Sequence, residues 1–544
     1  MLLTAADHAF PKLTAEEIDL LSSFSEVKDF SDRAVVFKAG DVAAGMFIVE
    51  SGGLDIINPV DGNKLIVTHL PGHFSGEIDL LIHRPVVVSG IARGPTRMLI
   101  VPQDKLQELL VKVPQVSDKL VTAFQMRREL LQQLEKVGCL VAGPAHCRET
   151  TLLREFLYKN FVPFTWYDTE TAAGRKFLAE HSLPKTWPVV VCPSGALLSR
   201  PTLFELANAA GVWAHCPNQT VDLLVVGAGP AGIATAVYAA SEGVNTLVID
   251  RIGPGGQAAG SSKIENFIGF PSGLSGAELA MRGVLQMHKF GARMVAPALV
   301  VGIEQSEADK SHIVRLDCGA AIKTRVVLVA AGVTWRKLQA KNADRFERAG
   351  VYYACTSVEA VLHEDEDVAV VGAGNSAGQA AVFLGECCRS RKVHVFARGR
   401  CGPSMSNYLY ARLTAMPNVV IHENTEISAV HGRRFIEAIE TRGETQSTLP
   451  VSAVFVFIGA EPGCEFLPPE VKRDSKGYVL TGADVVSHGG WPLQNREPCS
   501  LETSVPGILA AGDIRSGTTK RVGSAVGDGS VAVACVHRLL SNID

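Results

Sequence analysis

Two glycine-rich stretches hold the residues best placed to do chemistry. The first, VDLLVVGAGPAGIATAVYAA, contains Gly227, Gly229, Pro230 and Gly232; the second, DVAVVGAGNSAGQAAVFL, contains Gly372, Gly374, Asn375, Ser376 and Ala377. Each closes an apolar run that reads as a strand and opens a run that reads as a helix. A strand turning sharply into a helix aims the helix's free N–H groups at a pyrophosphate, and glycines let the backbone come close to it. LVID follows the first loop and places Asp250 at the end of the next strand. A carboxylate there receives ribose hydroxyls and disfavours a 2′-phosphate. The strand after the second loop, KVHVFARGR, has no such acid. Two loops of this kind predict an enzyme that holds two dinucleotides and passes electrons between them.

The elements that must carry these loops fit within a long chain. At 544 residues, 47% hydrophobic and 20% charged with a net charge of −4, it reads as several soluble globular domains without nucleic acid or membrane as a partner. The N-terminus, MLLTAADHAFPK, lacks the pattern of a signal peptide. The uncharged run 223–241 contains glycines and a proline, which makes it a buried strand and helix rather than a membrane span. Twelve scattered cysteines include no CxxC; with no leader pattern, they are expected to be reduced thiols in the cytoplasm. No paired Cys/His spacing calls for a metal.

Ahead of the loops the text changes twice. Residues 13–112 open with Thr14 and Glu17 at capping-box spacing and continue as short β segments punctuated by glycines, which suits a β-barrel or jelly roll. A long amphipathic helical stretch follows, broken by Pro114. KAGD, FIVESGGLDI and GHFSGEIDLLIHRPVVVSG resemble a cyclic-nucleotide-binding domain. The resemblance implies that Gly76 and Glu77 hold a ribose. The arginine expected nine residues after the glutamate, opposite a cyclic phosphate, is Val86, with Arg84 out of register. Nucleotide binding and a degenerate barrel used for packing both stay open. Residues 137–212 read as βαβ followed by a hairpin and a helix, and resemble a glutaredoxin or thioredoxin fold. Thr186-Trp187-Pro188 falls at that family's Thr-x-cisPro, Cys147 at its nucleophile and Thr150 at its second cysteine. A helix N-terminus lowers a thiol pKa, so Cys147 is a candidate reactive group, with a docking scaffold as the alternative. Residues 211–220 read as a linker.

Residues 221–544 closely resemble the low-molecular-weight thioredoxin reductases and their relatives. The resemblance rests on the first Gly loop, GPGGQAAGSSKIENFIGFP and SVPGILAAGDIRSGTTKRVGSAVGDGSVAV. It implies FAD held by the first loop with Asp250, Gly256, Gln257 and Asn266, by Gly512 and Asp513, and by the helix that starts at Arg521-Val522. It also implies that the second Rossmann unit is inserted into the first. The expected divisions are a cyclic-nucleotide-binding-like domain with its connector over 1–136, a thioredoxin-like domain over 137–212, an FAD domain over 221–335 and 451–544, and an NAD(P) domain over 336–450. The fold class is thus multidomain: a β-barrel or jelly roll, a thioredoxin-fold α/β unit and two Rossmann-like α/β domains. Arg398 matches one arginine of the family's 2′-phosphate site, Gly399 replaces the second and Arg400 stands next to it. NADPH is therefore expected over NADH. A homodimer is implied, as is a domain rotation that brings the nicotinamide to the flavin.

One expected feature is missing. Thioredoxin reductases carry CxxC just before the second Gly loop, so that two electrons leave by disulfide exchange. The corresponding stretch is GVYYACTSVEAV, with Ala354 and Ser357 at the two cysteine positions and Cys355 between them. Three readings follow: a flavin that reduces a small-molecule or redox-protein acceptor directly, a thiol or peroxide reductase using Cys355 with or without Cys147, and a redox or ligand sensor regulated through the N-terminal barrel.

Overall fold

The computed structural model describes residues 8–181, 183–184, 186–212, 219–306, 309–444 and 446–541, without the side chains of 357 and 358. Most of the expected linker, 213–218 with Cys216, lies outside the described residues. Among them, no helix is long and apolar enough to cross a membrane.

The N-terminal domain packs two antiparallel sheets face to face. One contains Glu26–Phe30, Gly45–Ser51 and Thr96–Pro102; the other contains Val35–Phe37, Leu54–Asn58, Lys64–His69 and Ser89–Ala92. Thr14 and Glu17 form the reciprocal capping box that their spacing predicts. Helix Gln103–Lys112 stops at Val113, and α1 (Pro114–Gln133) starts with Pro114 in its first turn, where the missing N–H costs nothing.

The next unit is a four-stranded sheet: β1 (Cys139–Ala142), β2 (Phe164–Tyr167), β3 (Val189–Val191) and β4 (Leu197–Ser199), in the order β4-β3-β1-β2. β1 and β2 run parallel around α2 (Arg148–Lys159), and the other pairs are antiparallel. This is the thioredoxin arrangement, and the Trp187–Pro188 peptide is cis.

The FAD-type domain is built on β5 (Thr220–Val226), α3 (Pro230–Ser241), β6 (Thr246–Ile249), α4 (Gly276–Lys289), β7 (Arg293–Val295) and β8 (Ala321–Val329). Four strands lie parallel in the order β7-β6-β5-β8. β6 and the C-terminal halves of β5 and β8 are buried runs of almost only Val, Leu and Ile, as strands covered on both faces require. The chain leaves this sheet through β9 (Val333–Trp335). It then builds β10 (Val351–Tyr352), β11 (Val368–Val371), α5 (Asn375–Cys387), β12 (Val393–Phe396), β13 (Val419–His422) and β14 (Ala453–Val456), and returns through β15 (Ala460–Pro462). β9 and β15 pair antiparallel, so both crossings form one two-stranded ribbon. The inserted sheet is parallel, in the order β10-β14-β11-β12-β13. Its second strand, β14, lies beyond residue 450. The boundary expected there moves to the β15 crossing, because β14 fills the gap between β10 and β11. β16 (Ile508–Ala510) then completes the first sheet against β8, and α6 (Val522–Ser541) covers it. A Cβ on Gly529 would lie 2.6 Å from the Ala231 carbonyl oxygen, so this glycine lets α6 and α3 pack backbone to backbone.

Candidate functional site

The first loop has the geometry its spacing predicts. Gly227 has φ +107, and a Cβ there would stand 2.3 Å from the Ala330 carbonyl oxygen; a Cβ on Gly232 would stand 1.9 Å from that of Gly227. These two glycines are demanded by the fold. Gly229 is not: a Cβ there meets only the Gly256 Cα, at 3.9 Å. Gly374 in the second loop is similar, its Cβ meeting only the Ser404 carbonyl at 4.0 Å. Glycine where the protein itself leaves room fits a group that the backbone must approach. α3 and α5 both start without a side-chain cap, with Pro230 and Asn375 in their first turns. Their N–H groups face out, ready for an anion.

Asp250 is fixed from two sides. Its Oδ2 accepts the Ala228 N–H at 2.8 Å, inside the Gly loop, and its Oδ1 accepts the N–H groups of Ile252 and Gly253 at 2.9 Å each. Gly256, at φ +54, abuts Gly229. Gly512 meets the same helix start, a Cβ on it falling 3.0 Å from the Ala231 Cβ. Its N–H donates to Asp528 Oδ2 at 2.9 Å, and Arg515 holds the other oxygen at 2.7 Å. Burial pushes the Asp513 carboxyl up against the pull of Lys520, whose amine donates to the Asp513 carbonyl. Gly227, Gly229, Pro230, Gly232, Asp250, Gly256 and Gly512 thus converge on one place. Gln257 instead ties its amide to the Val333 carbonyl on the crossing ribbon. Asn266 and Arg521 are exposed, and Val522 begins α6.

In the second site Asn375 Oδ1 accepts from Ser406 N and Oγ, at 2.7 and 3.1 Å, which pins the 402–406 loop over the helix start. Ser376 is exposed, and Ala377 is buried in the domain core where a glycine would leave a gap. Arg398 and Arg400 are exposed just past β12.

The 354–357 stretch runs against the first domain, with Cys355 bridged to Ser261. Cys355 is 2% exposed and belongs to the apolar core of the inserted domain. Burial pushes its thiol well above the usual value, with Glu359 and Cys387 adding to it. Glu359 accepts both the N–H of Thr356, at 2.8 Å, and its hydroxyl. Cys147 stands half-exposed at the N-cap position of α2 without a side-chain capping bond, its thiol donating to Glu149 at 3.2 Å. Both cysteines are free thiols.

In the N-terminal domain Glu77 does not face open space. Both its oxygens are held by Arg128 of α1, at 2.8 and 2.7 Å, and Asp79 takes the same guanidinium at 2.5 Å. The Gly76 carbonyl accepts from Arg127 at 2.8 Å, and Val86 is buried in the core. Sequence reasoning passed over these arginines. The signal was their position: buried Val116, Leu120, Phe124 and Leu131 mark one face of α1, and Arg127 and Arg128 fall on it, where an unpaired charge would be costly.

Comparison with known proteins agrees with this geometry. The Pyridine nucleotide-disulphide oxidoreductase model matches residues 221–529, and the Cyclic nucleotide-binding domain model matches 27–112. The thioredoxin reductase of Ureaplasma parvum is 30% identical over 326 residues, covering 58% of this chain and 96% of its own. The NADH dehydrogenase of Bacillus subtilis is 28% identical over 346 residues, 62% of this chain and 62% of its own. The solved thioredoxin reductase of T. acidophilum shares the fold with a TM-score of 0.53 at 24% identity, over 60% of this chain and 99% of that one. With more than half of its length inside the family model, the chain belongs to the pyridine nucleotide-disulphide oxidoreductase family and is an FAD-dependent, NAD(P)H-using oxidoreductase behind a cyclic-nucleotide-binding-like domain.

Proposed function

We propose that the enzyme takes hydride from NADPH onto FAD and delivers the electrons to an acceptor without a protein dithiol. The observation that carries this reading is Cys355: it is the one cysteine in the 354–357 stretch, and it points into the core of the inserted domain. FAD, when bound, accepts two electrons as hydride and can release them singly or as a pair. The chain's own part is to hold and orient. The uncapped start of α3 and the Gly loop would take the pyrophosphate, and Asp250 the adenosine ribose. Gly512, Asp513 and the start of α6 would line the rest of the same site. The start of α5 would take the nicotinamide dinucleotide's pyrophosphate, and Arg398 and Arg400, exposed at the end of β12, would pair with a 2′-phosphate. The acceptor is a small molecule or a redox protein, and the family resemblance implies a homodimer. No role for a cyclic nucleotide is proposed, since Glu77 is already satisfied by Arg128.

Stopped-flow reduction with NADPH and NADH, followed by an acceptor screen of thioredoxin, quinones, ferredoxin and oxygen, tests the reading. Fast flavin bleaching by NADPH with turnover on a non-thiol acceptor supports it. Turnover confined to thioredoxin or peroxide, and lost on blocking thiols, overturns it.

A further inference from the structure

One turn of the thioredoxin-like unit is wedged between the N-terminal domain and the FAD-type domain and bonds to both. That turn, Asn160-Phe161, ends α2, with Phe161 at φ +57. From one side Arg128 Nη1 donates to the Phe161 carbonyl at 3.0 Å, and Arg84 donates to the Asn160 carbonyl. Arg128 is itself gripped by Glu77 and Asp79 and is 1% exposed. From the other side, Asn160 Nδ2 donates to the Phe156 carbonyl at 2.9 Å and to the Ile252 carbonyl at 2.8 Å. Ile252 packs against the thioredoxin-like core. A Cβ on Gly253 would stand 2.6 Å from Asn160 Nδ2. The N–H groups of Ile252 and Gly253 are the two that hold Asp250 Oδ1. An unbroken line of contacts therefore runs from the degenerate cassette to the acid beside the first Gly loop.

We propose that Asn160 is a positioning residue for the FAD site and that the Glu77–Asp79–Arg128 cluster, in place of a nucleotide pocket, holds Asn160 in register, so that FAD affinity depends on the N-terminal domain. The inference rests on reading the Asp250 loop as the FAD ribose site. A carboxylate oriented by two backbone N–H groups loses its aim when the carbonyl between them is released. The effect is on binding and leaves the hydride step alone.

The test uses the full-length chain stripped of flavin and titrated with FAD by flavin fluorescence. The variants are Asn160→Asp, which turns an oxygen toward the carbonyls of Phe156 and Ile252, Arg128→Met, and Arg84→Met, which frees the Asn160 carbonyl from the N-terminal side. Arg348→Ala, which breaks only the 2.5 Å ion pair between Glu155 and the inserted domain, is the control. The expected result is an FAD dissociation constant raised about tenfold in each of the three, roughly the loss of one charge-assisted hydrogen bond. The Asn160→Asp/Arg128→Met double variant should be no worse than the stronger single one, as residues acting in one line are non-additive. At saturating FAD, kcat and the NADPH KM should stay within about twofold of wild type, a split characteristic of lost binding alone. Wild-type affinity in Arg84→Met and in a folded Asn160→Asp overturns the inference. If Asn160→Asp fails to fold, Arg84→Met and Arg128→Met decide it. Wild-type protein that takes up no FAD would overturn the site reading itself.

Discussion

Replacing Cys355 by alanine separates a packing residue from an electron carrier. The side chain is 2% exposed among apolar neighbours, so alanine leaves a void about one heavy atom in size. By analogy with deletion of one buried methyl group the cost is about 1 kcal/mol, seen as a drop of roughly 2–4 °C in the melting of the domain that contains it. An ordinary thiol of pKa about 8.5 is roughly 3% ionised at pH 7; burial and Glu359 push this one higher, so its thiolate is scarcer still. The same shift sets a pH signature. Above about pH 8.5 the unfolded thiol ionises while the folded one does not, so wild type loses stability with rising pH and Cys355→Ala loses less. Anaerobic stopped-flow reduction by NADPH, steady-state turnover with the best acceptor and thermal melts from pH 7 to 10 make the set. The variant should turn over within about twofold of wild type. Turnover lowered about a hundredfold or more, with flavin reduction by NADPH intact, would refute the reasoning, since losses of that size follow the removal of an essential reacting group.

Arg398→Ala and Arg400→Ala should raise the NADPH KM about tenfold or more each, leaving NADH and the melting temperature unchanged, because both side chains are exposed and a contact to a charged phosphate is worth about 1.5–3 kcal/mol. Gly232→Ala, whose Cβ would fall 1.9 Å from the Gly227 carbonyl oxygen, should give flavin-free, poorly soluble protein; a yellow, stable variant would show that the turn is looser than this contact implies. His312 is buried and lowered to about 4, chiefly by burial. Its unfolded counterpart protonates near pH 6.5, so its contribution is complete above about 6.5 and is lost as pH falls toward 4. His312→Leu should flatten that limb of a denaturation series. Cyclic AMP and cyclic GMP should show no saturable binding by calorimetry, since Arg128 occupies Glu77.

The sequence was most legible where backbone geometry dictates residue type. The Gly227 and Gly232 turn, the strand that ends at Asp250 and the Thr14/Glu17 capping box all follow from local rules, and the structure realises each of them. What was not legible depended on contacts distant along the chain. Arg128 reaches Glu77 across 51 residues, and Asn160 reaches Ile252 across 92. A one-dimensional reading sees an arginine on a connector helix and an asparagine at a helix end. The direction in which Cys355 points was equally hidden. ACTS gives its neighbours in sequence, but only the packing of β10 and α5 places it in the inserted core. The boundary after residue 450 was misplaced because β14 is apolar like the strands of either sheet, and composition does not assign it to one of them.

The ribbon of β9 and β15 has a consequence for how the molecule is made. β8 waits for its parallel neighbour β16 through about 180 residues of intervening chain, and α3 waits for α6 still longer. A ribosome adding roughly 5–20 residues per second therefore exposes a half-finished sheet, with the apolar Val327–Val329 half of one β8 edge unpaired, for about ten seconds or more after β8 emerges. During that interval the inserted unit, whose five strands are all contained between the crossings, can complete itself. Assembly thus runs from the inside out, with the interrupted domain closing last. A chain released before residue 508 would hold a finished nicotinamide module on an open, sticky sheet, a natural substrate for chaperone or protease.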